Sequence, residues 1–141
     1  MRNYLAETKK VTAIQPISLA SATSTSVIID TKGFSLASFL IQFGAVAGDI
    51  TSITVQSSAA SNFAGPVDRL EANAAAITAA EAGAAVLGAD VDIRNWERYV
   101  RIVVVKAASA AVLSGTVILG NAHTSPIDAE GKGYDAELVA A

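Results

Sequence analysis

The sequence predicts an all-β fold: an antiparallel, jelly-roll-like β-sandwich of about seven or eight strands, with one short alanine-rich helix in the middle. Three observations lead there. Apolar and polar residues alternate over several short runs, as on strands with one buried face. Turn residues separate these runs at short intervals. One run, Ile102-Val103-Val104-Val105, is apolar without a break, as at the centre of a sandwich. No fixed-period repeat is visible, which argues against a solenoid or a propeller.

The elements follow in order. Residues 1–10 are polar and mixed in charge and read as an N-terminal arm. The sandwich is expected over 11–124, and 125–141 form a polar, glycine-bearing C-terminal tail. A short strand is expected from near Lys10, with Pro16 marking it as an edge or an end, because proline cannot donate to a ladder. "SLASATSTS" reads as loop or irregular edge. Ser26 to Thr31 reads as a strand through Val27-Ile28-Ile29, and "DTKGF" turns the chain at Gly33.

Ala37 to Phe43 alternates cleanly, with Phe39, Ile41 and Phe43 on one face and Ser38, Leu40 and Gln42 on the other. In Thr51 to Ser57, Ile53 and Val55 oppose Ser52, Thr54 and Gln56. The link "GAVAGD" has the length of a hairpin connection. "VDRLEANAAAITAAEAG", Val67 to Gly83, has high helix propensity. Asp68 and Glu71 are spaced like a capping box, Gly83 stands at the end, and Leu70, Ala74 and Ile77 would line one face. An irregular excursion with short strands is the rival reading there. "AAVLGADVDI" reads as a strand, Val91 and Ile93 alternating with Asp90 and Asp92. Glu97 to Lys106 is the central strand. From Ile102 onward both of its faces are apolar, so both are expected to be covered. "ASAA" turns the chain and Leu113 to Gly120 pairs back, with Val117 and Leu119 inward and Gly115 marking a bulge or a close approach.

Composition narrows the function classes. A chain of 141 residues is expected to form one domain and to bury a sizeable core without staples. With no cysteine it has no disulfide, no thiolate metal site and no cysteine nucleophile. A net charge of −3 is not the footprint of a nucleic-acid binder, so no direct nucleic-acid partner is expected. Mean hydropathy is high, +0.44. Yet the most apolar window, Val100 to Leu113, contains Arg101 and Lys106 and is too short for a membrane helix. The first ten residues lack the apolar core of a secretory signal, so the chain is expected to be made and kept in the cytosol or in whatever assembles there. Only 16% of residues are charged. A monomer of this size needs more charge to stay dispersed, so part of the surface is expected to be covered by neighbours in an oligomer or larger assembly.

The search for chemistry yields little. His123, the only histidine, lies near Ser125 and Asp128, but one short loop does not supply a triad oriented across a fold. Asp90, Asp92 and Asn95 lack the ordered spacing of a calcium loop. Nothing in the spacing brings Asp30, Asp49, Asp68 and Asp92 together as paired carboxylates, and no phosphate-binding glycine loop is present. No catalytic residue, cofactor or metal is assigned. "RNWERYVRIVVVKAA" is the richest stretch. Arg94, Trp96, Arg98, Tyr99 and Arg101 gather arginines and aromatics where the central strand emerges. Single-stranded nucleic acid can stack on such residues. A structural reading is simpler: the aromatic caps the core and the arginines pair with acids such as Glu97 or Asp92, or with a neighbouring subunit. Arginine and tryptophan are also enriched at interface hot spots, so these five residues form a candidate interface.

The order "IIDTKGFSLASFLIQFGAVAG", "ITVQSSAASNFAGP", "VDIRNWERYVRIVVV" and "GTVILGNAHTSPID" resembles the small β-sandwich decoration, cement or minor capsid proteins of tailed-bacteriophage heads. The likeness runs from about Val27 to Asp128, and "RYVRIVVV" followed by "VILG" is its most specific part. It implies a virion structural protein on the capsid surface, a homotrimer that clamps the major capsid protein lattice at three-fold positions, assembled in the host cytoplasm, with no catalytic or cofactor residues. Two other classes are weighed beside it. A glycan-binding β-module of head or tail would use Trp96, Tyr4 and Tyr134, and a small hydrolase would depend on His123.

Overall fold

A computed structural model describes residues 8–122 of the chain. Nine strands and one helix follow in order: β1 (Lys9–Leu19), β2 (Thr23–Thr25), β3 (Ile29–Asp30), β4 (Phe34–Val46), β5 (Ile50–Ser58), β6 (Val67–Glu71), α1 (Ala74–Ala82), β7 (Ala85–Asp92), β8 (Tyr99–Lys106) and β9 (Ala111–Ala122). All pairings are antiparallel. One sheet has the order β1-β9-β4-β7, the other β2-β8-β5-β6, with β3 also on β8. Setting the two-residue β3 aside, the pairing is nested: β1 with β9, β2 with β8, β4 with β7 and β5 with β6. Such wrapping of one long hairpin into two sheets is the jelly roll.

Alternation fills the space between the sheets. Phe39, Ile41 and Phe43 of β4, Ile53 and Val55 of β5, and Val100, Ile102 and Val104 of β8 join Leu113, Val117 and Leu119 of β9 in one buried cluster. Val100, Ile102, Val104, Val117 and Leu119 expose no surface. Each side chain buried to this extent contributes about 1.5–3 kcal/mol. Gly115 sits opposite Ile14, where β1 is bulged, and a Cβ there would come within 3.4 Å of that side chain. β1 is an edge strand, and Pro16 falls in its second register shift, where no ladder amide is needed.

Several expectations are corrected. The "GAVAGD" link is not a hairpin, because β4 and β5 lie in different sheets. Nor does Leu113 to Gly120 pair back on the strand before it: β9 joins β1 and β4, while β8 lies opposite. Both links are arches. A short link with glycine suits either geometry, and period-two patterning says which residues face inward but not which sheet they face from. The expected strand at Ser26 to Thr31 shrinks to Ile29–Asp30. Its first part is interrupted because Ser26 replaces the ladder: its amide donates to Ile102 O at 2.8 Å, and its hydroxyl accepts the Ile102 amide at 2.8 Å. Val27 and Ile28 are thereby turned outward and exposed.

The helix begins later than its composition implies. Val67 to Glu71 is strand β6 on β5, with Leu70 opposite Val55. The cap is not the Asp68/Glu71 box but Asn73, whose side chain accepts the Ala76 amide at 2.9 Å. Gly83 closes the helix as expected, at φ +78°. Pairing with β5 overrides the helical preference of this stretch. Both faces of β8 are covered from Ile102 onward, as expected: Val100, Ile102 and Val104 lie in the core, while on the opposite face Val103 is buried and Tyr99, Arg101 and Val105 are half-buried.

The two arches are bonded to each other. Ala47 N donates to Ala110 O at 2.9 Å, and Ala107 N donates to Asp49 O at 2.8 Å. Lys106 points inward beneath them, is 4% exposed, and its amine donates to Ser109 O at 2.8 Å and Ala107 O at 3.4 Å. The helix joins in: Glu81 accepts the Ile50 amide at 2.8 Å. Gly48 lies where the arches touch, and a Cβ on it would meet the Ala107 methyl at 2.9 Å and press on the Ser109 hydroxyl. Gly48→Val should therefore lower unfolding stability by about 1–3 kcal/mol. A reduced urea midpoint would show it, and an unchanged midpoint would mean that the arches separate freely.

Candidate functional site

The stretch from Asp92 to Arg101 joins β7 of one sheet to β8 of the other, at the end of the sandwich away from the bonded arches. A tight turn opens it, with Trp96 N donating to Ile93 O at 3.0 Å. Ile93 is buried, and its amide donates to Ser35 O at 2.9 Å, which anchors the turn to the start of β4. Trp96 is half-buried against the core, and its ring stacks on Phe39 with centroids 6.0 Å apart. The aromatic thus caps the core, as the structural reading expects.

Each arginine of the stretch is used within the chain. Arg94 Nε donates to Asp92 Oδ2 at 2.8 Å. Arg98 forms a two-pronged pair with Asp30 on β3: Nε to Oδ1 at 2.8 Å and Nη2 to Oδ2 at 2.7 Å. Its guanidinium carbon also lies 5.1 Å from the Tyr99 ring centroid. Arg101 donates from Nε to Gln56 Oε1 at 3.0 Å and lies 4.3 Å from the ring centroid of buried Phe63. Of the acids named from the sequence, Asp92 does pair with Arg94, whereas Glu97 takes Arg69 of β6 at 2.6 Å. The buried Ser57 hydroxyl links the two: it donates to Glu97 and accepts from Arg69 Nε at 2.9 Å.

The five candidate residues do not form one site. Arg94, Trp96 and Arg98 line a pocket of about 320 Å³ with Thr31, Lys32, Gly33, Phe34 and Ile93. Tyr99 and Arg101 lie instead on the outer face of β8. Sequence reasoning missed Lys32 and Phe34. The "DTKGF" turn carried the signal, because pairing of β3 with β8 sets that turn beside Arg98. It also missed Arg69 and Ser57, which lie far away along the chain. His123, Ser125, Asp128, Tyr4 and Tyr134 lie outside the described residues. Among the described residues no group of three or more His, Cys, Asp or Glu gathers to hold a metal, and no helix is long and apolar enough to cross a membrane.

A second feature of the surface is a sheet face poor in charge. The outer face of the β1-β9-β4-β7 sheet carries Leu36, Val86 and Val112, which are 47%, 62% and 41% exposed, and half-buried Leu40 and Ile118, interspersed with Ser38, Gln42, Ser114 and Thr116. Its charges are Lys10 at one edge and Asp90 and Asp92 at the other. The class defined by these features is a jelly-roll sandwich with a sparsely charged sheet face and an arginine-aromatic end. No family model matches the chain, and no curated protein or solved structure matches it.

The ion pairs make stability depend on acid. The Arg98 guanidinium holds the Asp30 carboxyl down to about 2 from 3.8. Arg69 and then the Ser57 hydroxyl hold Glu97 down to about 2 from 4.5. Both groups bind protons less readily in the folded chain than in the unfolded one. Their contribution is complete above about pH 4.5 and is lost as the pH falls toward 2. Glu97→Gln should reduce stability at neutral pH and flatten its fall between those limits. Denaturant melts followed by the fluorescence of the single tryptophan measure this, and an acid limb as steep as that of the parent chain would contradict it.

Proposed function

We propose that this protein is a virion structural subunit, a capsid decoration or cement protein that adheres to the major capsid protein lattice and stabilises the head. The observation that carries the reading is the sparsely charged outer sheet face, with Leu36, Val86 and Val112 exposed. Docking would cover these side chains, as apolar surface is covered at protein-protein contacts. The jelly roll supports it by analogy, since this fold recurs in viral capsid domains, although it also recurs in lectins and enzymes. The fate of the arginines supports it further. Arg94 is paired locally with Asp92, and Arg98 and Arg101 tie β8 to β3 and β5, so the reading assigns no reaction and no nucleic-acid surface. Its mechanism is adhesion by many copies, each burying about 1,200–2,000 Å² against the shell.

A glycan-holding module is the second reading, favoured by the pocket that Trp96 and Phe34 line. Loss of a glycan-array signal on Trp96→Ala would support it over adhesion.

Particles lacking the protein should lose density at lattice symmetry positions and should release their contents at lower temperature. Leu36→Asp, at a site already exposed, should leave the fold intact and abolish rebinding to such particles. Unchanged density and heat resistance in its absence would overturn the proposal.

A further inference from the structure

An unpaired sheet edge presents a row of free amides and carbonyls, and proteins blunt it with proline, charge, bulges or short length. Three of the four edges here are blunted. β1 carries Pro16 and two register shifts, and Val27 N donates to its Ala13 O at 3.1 Å. β2 is three residues long. β6 is five residues long, includes Asp68, Arg69 and Glu71, and meets a register shift. β7 has none of these devices along most of its length. It runs for eight residues without proline, its register with β4 is unbroken from Leu36↔Asp92 to Phe43↔Ala85, and Ala85 to Ala89 carry no charge. Among the described residues no backbone group pairs with its outer side. Helix α1 crosses from β6 to β7 on this flank and packs against β4, β5 and β7, but it makes no backbone hydrogen bond to the outer side of β7; a cavity of about 260 Å³ lies between the sheets there, walled by Leu70 of β6, Asn73 and Ala76 at the start of α1, and Leu87 and Ala89 of β7.

We infer that β7 is a self-association edge: two copies of this chain pair β7 with β7, antiparallel about a two-fold axis, and merge two four-stranded sheets into one. The occupant is a second copy because the strand is self-complementary. Even-numbered residues of β7 are exposed on the outer face, and odd-numbered residues are half-buried on the inner one. A two-fold axis normal to the sheet pairs residues of like face, so its centre must fall on a residue. Centring on Asp90 or Val91 sets aspartate against aspartate, which is unfavourable. Centring on Gly88 or Ala89 keeps nearly the whole strand paired and sets Val86 opposite Asp90 or Asp92 of the second copy. Both registers also place Leu87 opposite an apolar residue, Ala89 or Val91, and so extend the cavity wall into the second copy. The contact is isologous. It yields a dimer, where the resemblance implies a trimer, and it stands apart from the capsid reading.

The test is solution mass by light scattering, with Val86→Glu and Val86→Lys compared at equal concentration. Val86 is 62% exposed, so neither change disturbs the core. The parent chain should have twice the 14.3 kDa chain mass. Val86→Glu puts a like charge opposite an aspartate at two symmetric places and should weaken association about tenfold or more. Val86→Lys puts an opposite charge there and should leave the dimer intact or tighter. Asp90→Lys added to Val86→Glu should restore pairing in the register centred on Gly88. A monomeric or trimeric parent chain would overturn the inference, and so would equal responses to the two Val86 variants.

Discussion

Two arches bonded back to back hold the jelly roll in register. The β4–β5 and β8–β9 links each carry the chain from one sheet to the other, and each uses backbone amides and carbonyls of its neighbour. Lys106 completes the joint from beneath. Its stem lies along the core while its amine serves carbonyls of the arch, so a charged residue occupies a buried position with its donors engaged. Because the four strands leaving this joint supply most of the fully buried side chains, the spacing between the sheets is set there. Glu81 brings the helix into the same joint, which explains a helix with little apolar face of its own.

The opposite end of the sandwich is organised by charge rather than by backbone bonding. Arg98 with Asp30, Arg69 with Glu97, and Arg94 with Asp92 each join segments near the turn that carries Trp96. Pairs in contact with solvent add little to stability by themselves. Their effect is chiefly one of geometry. The Ser57-Glu97-Arg69 network pins the β7–β8 link to β5 and β6, and the Asp30-Arg98 fork pins it to β3. With Trp96 stacked on Phe39, the pocket they surround has a fixed floor.

Much of the fold was legible because burial imposes period two. The inward sets of β4, β5 and β9 stood in the sequence as Phe39/Ile41/Phe43, Ile53/Val55 and Val117/Leu119, and Gly115 and Pro16 announced the bulged edge. Sheet membership was not legible, because an arch and a hairpin draw on the same short glycine-bearing links. Ser26 was unreadable for a different reason: a hydroxyl standing in for a ladder amide leaves no trace in a hydropathy pattern. Within the site, Arg94–Asp92 was visible as a local pair. Arg98–Asp30 and Arg69–Glu97 span 68 and 28 residues and depend on pairings that only the folded chain reveals. The Arg94 to Arg101 stretch divides accordingly into a pocket rim and a sheet face.

Nested pairing also constrains the order in which the chain can fold. Among the described residues β1 pairs only with β9, so the first of these strands to be made waits for the last before its own sheet is complete. Among the described residues the β5–β6 hairpin is the sole pairing between strands adjacent in sequence, and it is the natural place for structure to start. Growth then runs outward on both sides at once, each new pair closing a longer loop than the one before. During synthesis β1 emerges with its apolar residues unmatched, and the bulges and proline that blunt it protect the nascent chain as well as the finished one.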